Sequence, residues 1–314
     1  MSVERITEAS SLIDPVFLNS PQFLAEGLSR NLDCQIVVKV ETLNPIRSFK
    51  GRGTEYFTET LKGRPRLVCA TAGNFGQGMA YSARKRGLAL TIFTSKNANP
   101  MKIERMRNLG AEVRQAGIDV DASHEAAVAF ALESGAQMVE DGVEHAISEG
   151  AGTIGAELSK WPEPFDAIVI PVGDGALISG VALWFKSHHP STHIIGVCAS
   201  GAPSMERSWR AGKVIETQAV DTIADGIAVR VPFAEAIEHM GGFVDDILLV
   251  EDQSFIEAIR LTYVELGILV EPAGAAGLAA LLTHRERFHG KRVSTILTGS
   301  NIDPLLMKKI LVHE

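Results

Sequence analysis

The chain has 314 residues, 46% hydrophobic and only 6% aromatic, with a formal net charge of -8. That length and aliphatic content suit two domains of ordinary size or one large α/β unit, and they exclude a disordered chain or a repeat array. The acidic balance, with "ARKRG" at 83–87 as the densest basic run, argues against nucleic acid as a partner.

In chain order, "MSVERITEASSLIDP" lacks the basic start and apolar core of a secretory signal. No apolar run approaches the roughly 20 residues that span a bilayer, so no membrane association is expected and the expected location is cytoplasmic. Strands are predicted at "CQIVVKVE" (34–41), "RLVCAT" (66–71), "ALTIFT" (89–94), "DAIVIPV" (166–172), "HIIGVCA" (193–199), "DILLV" (246–250) and "RVSTILT" (292–298). These are continuous aliphatic runs, as in parallel strands buried on both faces. Helical stretches such as "NFGQGMAYSARKRG", "ASHEAAVAFALES" and "SFIEAIRLTYVEL" separate them. The alternation predicts a doubly wound α/β architecture, with twisted, mostly parallel sheets flanked by helices. Residues 66–143 are expected to form a smaller lobe inserted into a larger one made of 1–65 and 144–314. Cys34, Cys69 and Cys198 show neither CxxC nor ligand spacing, which argues against a disulfide scaffold or a structural zinc site.

Four loops carry chemical signals. In "NPIRSFKGRG" (44–53), Lys50 stands where a helix begins, beside the apolar Phe49. A helix N-terminus and burial both lower a lysine pKa and favour the neutral amine that forms a Schiff base. "ATAGNFGQG" (70–78) follows a strand and opens a helix. Free N–H groups at such a start bind anions, including a carboxylate. "PVGDGALISG" (171–180) is a glycine-rich turn into a helix. Its third glycine is displaced to Gly180 and the next strand ends without an acid, so a dinucleotide fingerprint is not met and an oxidoreductase using one is not expected. A single phosphate suits the loop better. "LTGSNID" (297–303) ends a strand with the hydroxyl of Thr298.

In order and spacing, "SFKGRG", "TAGNFGQG", "VGDGAL", "EPAGAAG" (271–277) and "TGSN" resemble the fold-type II pyridoxal-phosphate enzymes, and among them the threonine/serine dehydratases. The resemblance runs from about residue 14 to about 303. It implies that Lys50 forms the Schiff base with pyridoxal 5'-phosphate, next to Phe49. Asn74 would bond the ring hydroxyl. Gly173, Asp174, Gly175, Ala176 and Leu177 would present N–H groups to the phosphate. Glu271 would border the cofactor and Thr298 would face the ring nitrogen. Thr71, Ala72, Gly73, Asn74 and Phe75 would hold the substrate. The implied reaction is loss of the β-substituent, a hydroxyl, from a threonine- or serine-like amino acid, giving a 2-oxo acid and ammonia. A homodimer or higher homo-oligomer is expected. Two alternatives stay open: β- or γ-replacement of the threonine-synthase kind, and a non-catalytic ligand-binding relative.

The chain departs from the family pattern at several positions. Ala72 stands where family racemases place a serine, so little racemase activity is expected. Phe75 replaces a histidine and Arg47 a glycine, which puts threonine itself in doubt as substrate. Cys198 and Ala199 replace an acid of the family's divalent-metal site, so no metal is expected. A regulatory domain after the last motif is not expected. Asp174 fills a slot that is often glycine; its carboxylate is expected to turn away from the phosphate, because like charges in contact are costly.

Overall fold

In the computed structural model, which describes residues 1–71, 73–118 and 120–312, ten strands form two sheets. The strands are β1 (Gln22–Leu24), β2 (Gln35–Val40), β3 (Leu67–Ala70), β4 (Leu90–Thr94), β5 (Glu112–Gln115), β6 (Gln137–Met138), β7 (Ala167–Pro171), β8 (His193–Ala199), β9 (Asp246–Val250) and β10 (Arg292–Leu297). The six-stranded sheet runs β1-β2-β10-β7-β8-β9 and is parallel except for β1. The four-stranded sheet runs β5-β4-β3-β6 and is wholly parallel. All seven aliphatic runs form strands. The three that the sequence did not announce, β1, β5 and β6, lie at sheet edges and are half-exposed or exposed along their length. An edge strand covered on fewer sides has no need of a continuous Val/Ile/Leu run.

The sheet order puts the chemical loops together. β2, β10 and β7 are neighbours, so the segments after their carboxyl ends open side by side, as parallel α/β sheets place their ligand sites. Lys50 begins the helix Lys50–Thr60, Thr298 follows β10, and Gly173 follows β7. Ser48 pairs with Gly299 in an isolated bridge, and Phe49 N–H donates to the Thr298 carbonyl at 3.0 Å.

Helix His145–Leu158 packs against helix Ala176–His188 at backbone distance. A Cβ on Gly180 would lie 2.0 Å from the Ser148 carbonyl oxygen. Gly180 is therefore a packing glycine that seats the helix behind the 173–177 loop. Beneath the site, Arg52 is fully buried; its Nε and Nη2 bond Glu41 at 2.9 and 2.8 Å, and its Nη1 bonds Glu157 at 2.7 Å and Thr153 at 3.0 Å. Lys39 also pairs with Glu157. Burial alone would raise the Glu157 pKa, but these cations pull it down to about 2. Among the described residues, no helix is long and apolar enough to cross a membrane.

Candidate active site

Every sequence-predicted site residue that the structure describes lines one cavity of about 260 Å³. These are Phe49, Lys50, Thr71, Gly73, Asn74, Phe75, Gly173, Asp174, Gly175, Ala176, Leu177, Glu271 and Thr298. Ala72 lies outside the described residues.

Lys50 is the first residue of its helix, and its Nζ sits 4.8 Å from the centroid of the Phe49 ring. That Nζ pairs with Asp141, which the sequence reading missed. Asn74 opens helix Asn74–Arg86; its Nδ2 donates to Glu271 Oε1, and its Oδ1 accepts from Asn301 Nδ2 at 2.7 Å. Glu271 Oε2 is buried without a hydrogen-bond partner. Burial pushes the Glu271 pKa up to about 7; Lys102 opposes that rise and Asp225 adds to it.

The loop after β7 is built for close approach. Gly175 has φ +88°, a conformation that favours glycine, and no side chain caps the helix it precedes. A Cβ on Gly173 would come within 2.9 Å of the Gly226 carbonyl oxygen. The first-turn N–H groups are left for an anion. Asp174, half-buried in the cavity wall, has its pKa pushed up to about 7 by burial and by the charge of Asp141, with Lys50 opposing.

The outer part of the cavity is ionic, and its residues come from both sheets' connections. Lys102 pairs with Asp225, Arg230 with Asp121 at 2.7 Å, and His124 with Glu140. The Glu140 hydrogen bond raises the His124 pKa against the effect of burial. Lys102 Nζ would be 3.7 Å from a Cβ on Gly73, so its charge stands over the predicted carboxylate loop. The sequence reading gave none of these residues a role; they come from several segments, with Asp121 and His124 on one helix, Val120–Ser134.

Arg47 does not line this cavity. It has φ +54° and borders a separate recess with Gln77, Arg105 and Asn301. The positive φ explains the glycine usual at this position in the family that the motifs resemble.

A family model described as pyridoxal-phosphate dependent enzyme matches residues 13–299. The biosynthetic L-threonine dehydratase of Lactococcus lactis subsp. lactis is 32% identical, covering 100% of this chain and 79% of that protein. The L-threonine ammonia-lyase of Thermotoga maritima is 33% identical, covering 99% and 78%. Among solved structures, the processed form of threonine deaminase isoform 2 from Solanum lycopersicum superposes with a TM-score of 0.90 at 29% identity, over 99% of this chain and 88% of that one. Maize serine racemase superposes with a TM-score of 0.91 at 27% identity, over 98% and 95%.

Proposed function

The chain belongs to the pyridoxal-phosphate dependent enzymes and is a lyase of that family; on that premise we propose how its own residues remove the β-hydroxyl of a serine- or threonine-like amino acid to give a 2-oxo acid and ammonia. The observation that carries the reading is the meeting of Lys50, Asn74, the 173–177 loop and Thr298 in one cavity. These groups fit the cofactor. An uncapped helix start behind two glycines suits a phosphate, a lysine amine stands in the cavity, and buried Glu271 Oε2 lacks a partner.

In this reading Lys50 Nζ holds the cofactor, and Gly173 to Leu177 hold its phosphate through backbone N–H groups. Asn74, fixed by Glu271 and Asn301, would offer the cofactor its amide, and Thr298 would offer it a neutral hydroxyl. When bound, the cofactor supplies an electron sink for the charge left at the α-carbon. Thr71 and the N–H groups at the start of the Asn74 helix bind the substrate carboxylate. Lys102 adds positive charge behind that loop; Asp225 and Glu271 raise its pKa against the effect of burial. Lys50, once free, takes the α-proton as general base. Phe75, itself buried, forms part of the apolar cavity wall. We expect the protein to work as a homo-oligomer in the cytoplasm.

The test is a panel of L-serine, L-threonine and phosphohomoserine with the purified protein. Equal amounts of 2-oxo acid and ammonia from a hydroxy amino acid are expected. Threonine formed from phosphohomoserine would overturn the reading in favour of replacement chemistry. The Schiff-base absorbance is expected to vanish in Lys50→Ala.

A further inference from the structure

The reading above gives Lys50 the α-proton but leaves the departing β-hydroxyl without a donor from the chain. Hydroxide leaves poorly unless it is protonated as it goes. Two carboxyls, Asp141 and Asp174, line the same cavity as Lys50. Asp141 commits Oδ2 to Lys50 Nζ, while its Oδ1 is buried with no hydrogen-bond partner. Asp174 lies against the residue that follows Asp141. A Cβ on Gly142 would be 1.8 Å from the Asp174 carbonyl oxygen and 3.1 Å from the Asp174 Cβ. The contact between the two segments leaves no room for a side chain at Gly142, and the charge of Asp141 acts on Asp174 across it. The charged groups that act on Asp174 are Asp141, Lys50 and Asp121.

We propose that Asp174 is the general acid that protonates the leaving β-hydroxyl, and that Asp141 relays to it the proton that Lys50 takes from the α-carbon. The proposal rests on the elimination reading. The β-oxygen is two bonds from the carbon that Lys50 deprotonates, so the groups beside Lys50 Nζ are the ones it meets. The Lys50 amine takes the α-proton and becomes an ammonium. The Cα–H electron pair becomes the second Cα–Cβ bond, and the Cβ–O bond breaks with its pair on oxygen. That oxygen takes the Asp174 proton and departs as water. Lys50 then passes its proton to Asp141, and Asp141 passes it to Asp174. Lysine and both carboxyls regain their starting states, and no oxidant or further reactant is needed. The raised pKa of Asp174 fits the role, since an aspartate in its usual range holds no proton to give at neutral pH.

The experiment compares L-serine with β-chloro-L-alanine, whose chloride leaves without a proton. In Asp174→Asn the ratio of serine to chloroalanine elimination is expected to fall about 100-fold or more, the range of a lost general acid. Asp141→Asn, which breaks the relay at its middle, is expected to lower the ratio as well. A second readout needs no turnover. With carboxyl-¹³C aspartate in the apoprotein, one aspartate is expected to titrate near neutrality and to be absent in Asp174→Asn. It should titrate at lower pH in Asp141→Asn, where a like charge is gone. A wild-type enzyme that eliminates both substrates, with an unchanged ratio in Asp174→Asn, overturns this proposal alone. So does an apoprotein in which every aspartate titrates in the usual range. A wild-type enzyme that eliminates neither substrate overturns the elimination reading, and this proposal with it.

Discussion

Asn301 donates one hydrogen bond to Asn74 Oδ1 at 2.7 Å and another to the Ile46 carbonyl at 2.9 Å. One buried amide thus joins the loop after β10 to the loops after β2 and β3. Asn301→Ala leaves both acceptors unpaired. We expect a loss of about 1–3 kcal/mol of stability by thermal unfolding. Cofactor affinity, read by absorbance titration, should fall with it, because Asn74 is no longer oriented. Asn301→Asp should do no better, since a carboxylate has no N–H to give.

Arg52 is the cation at the centre of a buried network with Glu41 and Glu157. Arg52→Met removes one charge and strands the others, and is expected to cost about 3–5 kcal/mol in chemical denaturation. Arg52→Lys should recover less than half of that loss, because one ammonium cannot replace a fork that bonds two carboxylates at once.

Gly142 has φ +82°, and a Cβ there would enter the Asp174 backbone. Gly142→Ala is expected to displace the 173–177 loop, which we propose holds the phosphate, and to lower cofactor affinity at least about tenfold. Gly63 is the control. It has φ +75° with nothing within 4 Å of its would-be Cβ, so Gly63→Ala should cost only the strain of about 1 kcal/mol and leave affinity unchanged.

Arg47→Gly relieves a left-handed backbone at φ +54°. It should gain about 1 kcal/mol of stability and leave the ranking of serine against threonine unaltered, because Arg47 lies outside the cavity. A changed ranking in a kcat/KM comparison would place Arg47 at the substrate after all.

The apoprotein should be most stable in mild acid. Asp174 and Glu271 have folded pKa values near 7, above their usual values, so the stability they contribute is present at low pH and is lost as pH rises toward 7. His124, also raised, acts in the same direction. Glu157 is depressed to about 2, so its contribution is present above its ordinary value and is lost as pH falls toward 2. Denaturation midpoints of the apoprotein at pH 5 and pH 8 check this; a higher midpoint at pH 8 contradicts it.

The sequence displayed the backbone part of the site and hid the ionic part. The 173–177 loop and Thr298 stand after strand ends and Lys50 at a helix start, and turns and helix starts are local enough to read from a short stretch. Asp141, Lys102 and His124 have no such signature. Each is one polar residue in an ordinary segment, brought to the cavity by sheet order, which no short window records. The strands divide the same way, with the buried β2, β7 and β10 legible and the edges β1, β5 and β6 not. Asp174 was visible as an anomaly, but its neighbours were not, so its carboxylate could be given a constraint and no role.

The placement of β2 also governs when the protein can first work. β2 lies between β1 and β10, and β10 pairs it with β7. During synthesis the segment bearing Lys50 emerges before the strand, residues 292–297, that seats it beside the 173–177 loop. Such long-range pairing closes late. A nascent chain therefore carries the lysine without the pocket around it, and cofactor capture is deferred until β10 has left the ribosome.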